Sequence, residues 1–113
     1  MLNIERDTEG EVSVLQVSGE IDASSSIFLD EEVGKALEQG ARIAVDLTGL
    51  EYISSAGLGV FMSYISDLEA KKMTMVLFGM KEKVFQVFQI LGLDQLLTIV
   101  DTREEAIKSA NDL

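Results

Sequence analysis

The sequence contains no cysteine, histidine, proline or tryptophan. Without cysteine there is no disulfide framework, no thiolate zinc site and no cysteine nucleophile. Without histidine the chain lacks the commonest general base at neutral pH and the commonest metal ligand. A Ser-His-acid triad cannot be assembled within it, and catalysis would fall to Asp, Glu, Lys or Tyr. Basic residues are also scarce: 9 Lys and Arg against 20 Asp and Glu give a formal net charge of −11. A nucleic-acid binder needs a basic footprint to neutralise phosphates, and anionic lipid repels the same excess of carboxylates. No run approaches the roughly 18 apolar residues of a membrane span. The opening MLNIERDTEG carries acids where a secretory signal needs a basic start and an apolar stretch. The expectation is a soluble, cytoplasmic protein that is not an enzyme. It would carry no cofactor or metal, bind no nucleic acid and not insert into a membrane.

What is present suffices for one domain over residues 1–113, with 47% hydrophobic residues to build a modest core. Apolar runs alternate with amphipathic ones. EVSVLQVSG (Glu11–Gly19) is Val-rich and slips phase at Val14-Leu15, as expected of a strand buried on both faces or bulged. LNIERDT before it adds a short edge strand that ends at a turn near Glu9-Gly10. Leu29, Val33 and Leu37 recur on one face of a helix from about Ser26 to Gln39, stopped by Gly40. The serines at 24–26 read as loop and N-cap, and Asp30, Glu31 and Glu32 as a solvated face. RIAVDL (Arg42–Leu47) is an inner strand and TGLEYIS a connector. A helix is predicted from about Ala56 to Lys71, with Leu58, Phe61, Met62, Ile65 and Leu68 as its apolar stripe and Val60 and Tyr64 beside it. MTMVLFG is a further strand, EKVFQVFQILG a helix with Val84, Phe85, Phe88 and Leu91 on one side, and LLTIVD a last strand. Thr102 with Glu105 three residues on forms a capping box. This alternation specifies an α/β fold, a mixed but mostly parallel sheet with about four helices. Asp22, Asp46 and Asp67 have no sequence reason to converge on a metal.

The stretch ISSAGLG (Ile53–Gly59) raises the functional question. A serine at the start of a helix can simply accept a bond from an orphan N–H. The glycines need more. Gly57 and Gly59 fall in the first turn and a half of the helix, where each costs about 1 kcal/mol relative to Ala. Bare backbone lets another molecule approach closely. A hydroxyl at a helix N-terminus suits a phosphoryl group, whose charge the free N–H groups and the dipole favour. GLG alone is not a dinucleotide fingerprint, the Lys-Ser/Thr of a P-loop is missing, and there is no G-x-S-x-G elbow.

SGEID (Ser18–Asp22), VDLTGLEYISSAGLGVF (Val45–Phe61) and FGMKEKVFQVFQILGLDQLLTIVDTREEA together resemble the anti-sigma factor antagonist family, whose fold is called STAS. The resemblance covers about Asn3 to Ala110. It implies binding to an anti-sigma factor with serine-kinase activity, which frees a sigma factor. That kinase then phosphorylates one serine of the antagonist, the complex separates, and a phosphoserine phosphatase resets it. The family motif is Asp-Ser-Ser/Thr-Gly-Leu-Gly with the first serine modified. On this chain Ser54 stands at the aspartate, Ser55 at the phosphorylated serine and Ala56 at the second hydroxyl residue, so that Ser54 is itself a second candidate acceptor. Asp22 matches the acid of the GE(L/I)D loop. Asp22, Ser54, Ala56, Gly57, Leu58 and Gly59 are the partner-binding residues so implied, with a monomer expected when free. The other role open to such a domain is that of a non-phosphorylated accessory subunit of a membrane lipid transporter.

Overall fold

The computed structural model describes residues 1–40 and 42–112. Five strands form one sheet in the order β1-β2-β3-β4-β5: β1 Asn3–Glu9, β2 Val12–Ile21, β3 Arg42–Ile53, β4 Thr74–Phe78 and β5 Thr98–Val100. The first two pair antiparallel through a tight turn in which Gly10 has φ 61°; β2 to β5 are parallel. The helices are α1 Ser26–Gln39, α2 Ser55–Ser63, α3 Ile65–Ala70, α4 Glu82–Ile90 and α5 Arg103–Asn111, with a 3-10 turn at Leu93–Gln95. Among the described residues no helix is long and apolar enough to cross a membrane.

The phase slip at Val14-Leu15 comes from burial on both faces, the first of its two expected causes. Val12 and Val14 pack with Ala44, Val76 and Phe78 beneath Ala106 and Ala110 of α5. Leu15 and Val17 point to the opposite face, where they join Leu29, Val33, Phe61 and Phe88 from α1, α2 and α4. The pairing of β2 with β3 is also shifted between Gln16 and Ser18 and again between Gly19 and Glu20. One helix thus covers one face of the sheet, and the remaining helices crowd the other.

Three expectations need correction. The connector TGLEYIS is strand through Ile53, because Gly49, Leu50, Tyr52 and Ile53 pair with the bulged end of β2. The helix from Ala56 to Lys71 is two helices that meet at Tyr64. Met62 and Leu91 leave the apolar stripes and are exposed, at 48% and 55%, while Phe85 is only partly covered. Each of these side chains stands where its helix has no neighbour to cover it, which helical spacing alone does not reveal.

Candidate functional site

The site is built at the ends of two neighbouring parallel strands. Ile21 ends β2 opposite Ile53, which ends β3. The Ser54 N–H donates to the Ile21 carbonyl at 2.8 Å, extending the ladder by one bond and fixing where α2 begins. Ser54 is extended (φ −83°, ψ 169°), and its hydroxyl accepts from the Gly57 N–H at 3.2 Å. The capping role therefore belongs to Ser54. Ser55, the first residue of α2, is exposed and its hydroxyl is not engaged in that cap. The first helical bond runs from Leu58 N–H to the Ser54 carbonyl at 3.0 Å. The N–H groups of Ser55 and Ala56 thus have no acceptor within the helix.

The two glycines differ in kind. A Cβ on Gly57 would lie 2.6 Å from Ile21 Cγ2 and 2.8 Å from Ile53 Cγ1, so Gly57 lets α2 settle on the strand ends. It is buried, as is Leu58. Those two residues hold the helix to the sheet and offer no side chain to solvent, and the open-backbone argument does not apply to Gly57. It does apply to Gly59, which is exposed, with nothing beyond its own stretch of helix within 4 Å of where its Cβ would be. No internal packing repays its helix cost. Ala56 is exposed beside it.

Asp22 lies across the junction, immediately after Ile21. Its Oδ1 accepts from the Ser25 N–H at 2.8 Å and from the Ser24 and Ser25 hydroxyls at 2.9 Å each. These bonds, led by the Ser25 backbone N–H, hold its carboxyl down at about 2, well below the ordinary 3.8. The Asp22 N–H in turn donates to Ser25 Oγ at 2.9 Å. Asp22 is thus an exposed, ionised anchor for the loop that launches α1. Ser26 opens α1, where the sequence begins that helix, and is buried, and its hydroxyl donates to the Ala23 carbonyl at 2.9 Å.

Tyr64, at the junction of α2 and α3, donates to the Asp30 carboxylate at 2.6 Å. Burial and that acid push its phenol well above the usual range. One of the three helix acids is therefore structural, and Glu32 is another, shared between Arg6 and Lys35. The Tyr64–Asp30 tie had no sequence signal, since the two residues are far apart in the chain. Asp22, Asp46 and Asp67 sit on separate elements, and no group of three or more potential metal ligands is found among the described residues.

Similarity to known proteins follows the same lines. The family model for the STAS domain matches residues 3–106. An anti-sigma-B factor antagonist of Listeria monocytogenes is 35% identical over 106 residues, which is 89% of this chain and 88% of that protein. The crystal structure of an anti-sigma factor antagonist from Mycobacterium paratuberculosis superposes with a TM-score of 0.90 at 22% identity, covering 99% of this chain and 96% of the other. The Bacillus cell fate determinant SpoIIAA in its phosphorylated form gives 0.71 at 25% identity, with 96% and 98% covered.

Proposed function

Since this chain belongs to the anti-sigma factor antagonist family of STAS domains, we propose that it binds an anti-sigma factor with serine-kinase activity, releasing a sigma factor, and is switched off by phosphorylation of Ser55. The observation that carries this reading is the division of labour between the two serines. Ser54 spends its hydroxyl on the cap, and Ser55 presents its own to solvent at the first position of α2. In the transfer the γ-phosphoryl group of ATP passes to Ser55 Oγ. The new O–P bond forms as the bond to ADP breaks, and the hydroxyl proton leaves to a base of the kinase. A phosphoserine phosphatase would reverse the modification by hydrolysis.

The phosphate adds about −1.5 to −2 charges at pH 7. At the start of α2 the free N–H groups and the dipole tolerate it, so the fold survives. At an interface the same charge must be desolvated or repelled. A hundredfold loss of affinity needs only about 2.7 kcal/mol, which one poorly matched phosphate supplies. Asp22 stays ionised over the physiological range and adds to the negative field at this edge.

Incubation with the purified anti-sigma factor kinase of the source organism and ATP tests the assignment, with peptide mapping by mass spectrometry. One phosphate on Ser55 is expected, absent from Ser55→Ala and retained in Ser54→Ala. Phosphate on Ser54 alone would move the acceptor by one residue. An unmodified chain would overturn the switch and leave the accessory-subunit role.

A further inference from the structure

The end of the domain away from Ser55 carries a surface of its own. Strands β2 to β5 are parallel, and Ser55 follows the C-terminal end of β3. The turn from α4 into β5 lies at the opposite end of the sheet. Gly92, at φ 74°, bends the chain there. The Gln95 N–H then donates to the Gly92 carbonyl at 3.2 Å, and the Leu96 N–H to that of Leu93 at 3.1 Å. Leu93 and Leu97 of this turn fill the core. Ile90, Leu91 and Leu96, carried by the same turn, are left 83%, 55% and 62% exposed. Leu96 also rims a cleft of about 350 Å³ between α3, the first residues of β4 and β5, and the end of α5, with Ile65, Leu68 and Met73 in its apolar lining. Clustered exposed apolar side chains mark an interaction surface.

Charges of both signs border this turn. Asp94 is the only charged residue between Lys83 and Asp101. Glu69 and Asp112 line the cleft beside it, and Lys71 and Lys72 form the turn from α3 to β4. None of these five residues is in a salt bridge among the described residues, whereas every other Lys and Arg except Lys108 is paired with an acid of its own chain. Cations and carboxylates are therefore both unspent around an uncharged apolar turn.

We infer that this end is the interface of a weak symmetric dimer, in which Ile90, Leu91 and Leu96 of one copy pack against the same turn of another. The inference departs from the monomer expected from the sequence and does not depend on phosphorylation of Ser55. The occupant follows from charge and symmetry. Copies that each carry −11 repel one another, and close approach is cheapest where the two signs balance. A twofold axis lays the apolar turn on itself and lets the lysines of one copy face the carboxylates of the other. A strongly basic partner would instead find more carboxylate elsewhere on the chain. A stable dimer takes about 800 Å² from each copy. Three side chains supply only part of that, so exchange is rapid and Kd falls at about 0.01–1 mM. Both acceptor serines lie at the far ends of such a dimer and stay open to a kinase.

Sedimentation equilibrium of the full chain, at loading concentrations from about 10 μM to 1 mM, reads the association. The average mass should climb from monomer towards dimer across that range. Ile90→Ser and Leu96→Ser should each raise Kd by about tenfold and melt close to wild type, since both side chains are already mostly exposed. Ile27→Ser is the control: Ile27 is 65% exposed in the first turn of α1, outside this surface, and its loss should change Kd by less than about twofold. On dilution, amide chemical shifts followed by NMR should move at 90–98 and stay fixed at 54–59. A chain that remains monomeric at the highest concentration overturns the dimer and leaves the functional reading untouched. Association that survives both substitutions, that Ile27→Ser weakens as much as they do, or whose dilution shifts fall at 54–59 overturns this interface.

Discussion

The Ser54 hydroxyl accepts the Gly57 N–H at 3.2 Å, so the two residues that sequence spacing places at a helix start are joined as cap and third helical position. Its neighbour Ser55 takes no part in that cap. The consequences of this pairing can be measured separately for each serine.

Ser54→Ala removes the cap and should destabilise the fold by about 0.5–2 kcal/mol. Ser54→Asp restores an acceptor and should recover most of that loss. Ser55→Ala, which breaks no cap, should melt close to wild type. Thermal melts of the three variants check the order. A Ser55→Ala protein less stable than Ser54→Ala would show that the capping assignment is wrong.

Ser55→Asp separates binding from folding. A carboxylate at the first position of α2 gains about 0.3–1 kcal/mol from the helix terminus in the free protein. It should therefore melt at or slightly above the wild-type temperature, yet bind the anti-sigma partner about tenfold more weakly, a loss of about 1.4 kcal/mol. Ser55→Ala should bind as wild type does. Calorimetric titration reads both, and equal affinity of all three proteins would contradict release by charge.

The two glycines should respond in opposite directions. Gly57→Ala drives a methyl group into Ile21 and Ile53, both β-branched and close to the backbone, and should cost about 1–3 kcal/mol. Gly59→Ala meets open space and should stabilise by roughly 0.5–1 kcal/mol. Denaturant midpoints test the pair. If Gly59→Ala also weakens partner binding, its bare backbone is part of the interface.

Asp22 sets an acid limit on the α1 loop. Its carboxyl titrates at about 2 in the folded chain against an ordinary 3.8, so the folded state favours the ionised form. That contribution is complete above the ordinary value and fades as the pH falls from about 4 through about 2. In Asp22→Ala this part of the acid dependence should vanish. Carboxyl chemical shifts followed by NMR give the midpoint, and a value near 3.8 would mean that the Ser24 and Ser25 bonds do not persist in solution.

The order of strands and helices was legible in the sequence because local rules agree along it. Period-2 and period-3.6 patterns succeed one another, Gly40 and Gly92 close helices, and Thr102 opens one by capping Glu105 N–H at 3.2 Å. The serine pair at the start of α2 was legible as a helix start too, since serines and glycines at a change of period are a local signal. β3 beyond Leu47 was not. Thr48-Gly49 has poor strand propensity, and only pairing with a bulged β2 makes it extended. The break falls at Tyr64, whose side chain is bonded to Asp30 on another helix, and no local signal marks it. Which serine caps and which is free, why Gly57 must lack a side chain while Gly59 need not, and which apolar residues face solvent all depend on contacts between residues distant in the chain. Sequence by itself determined the periods, the punctuation and the charge, because these are properties of neighbours. The tertiary structure decided the roles, because a side chain's role is set by what packs against it.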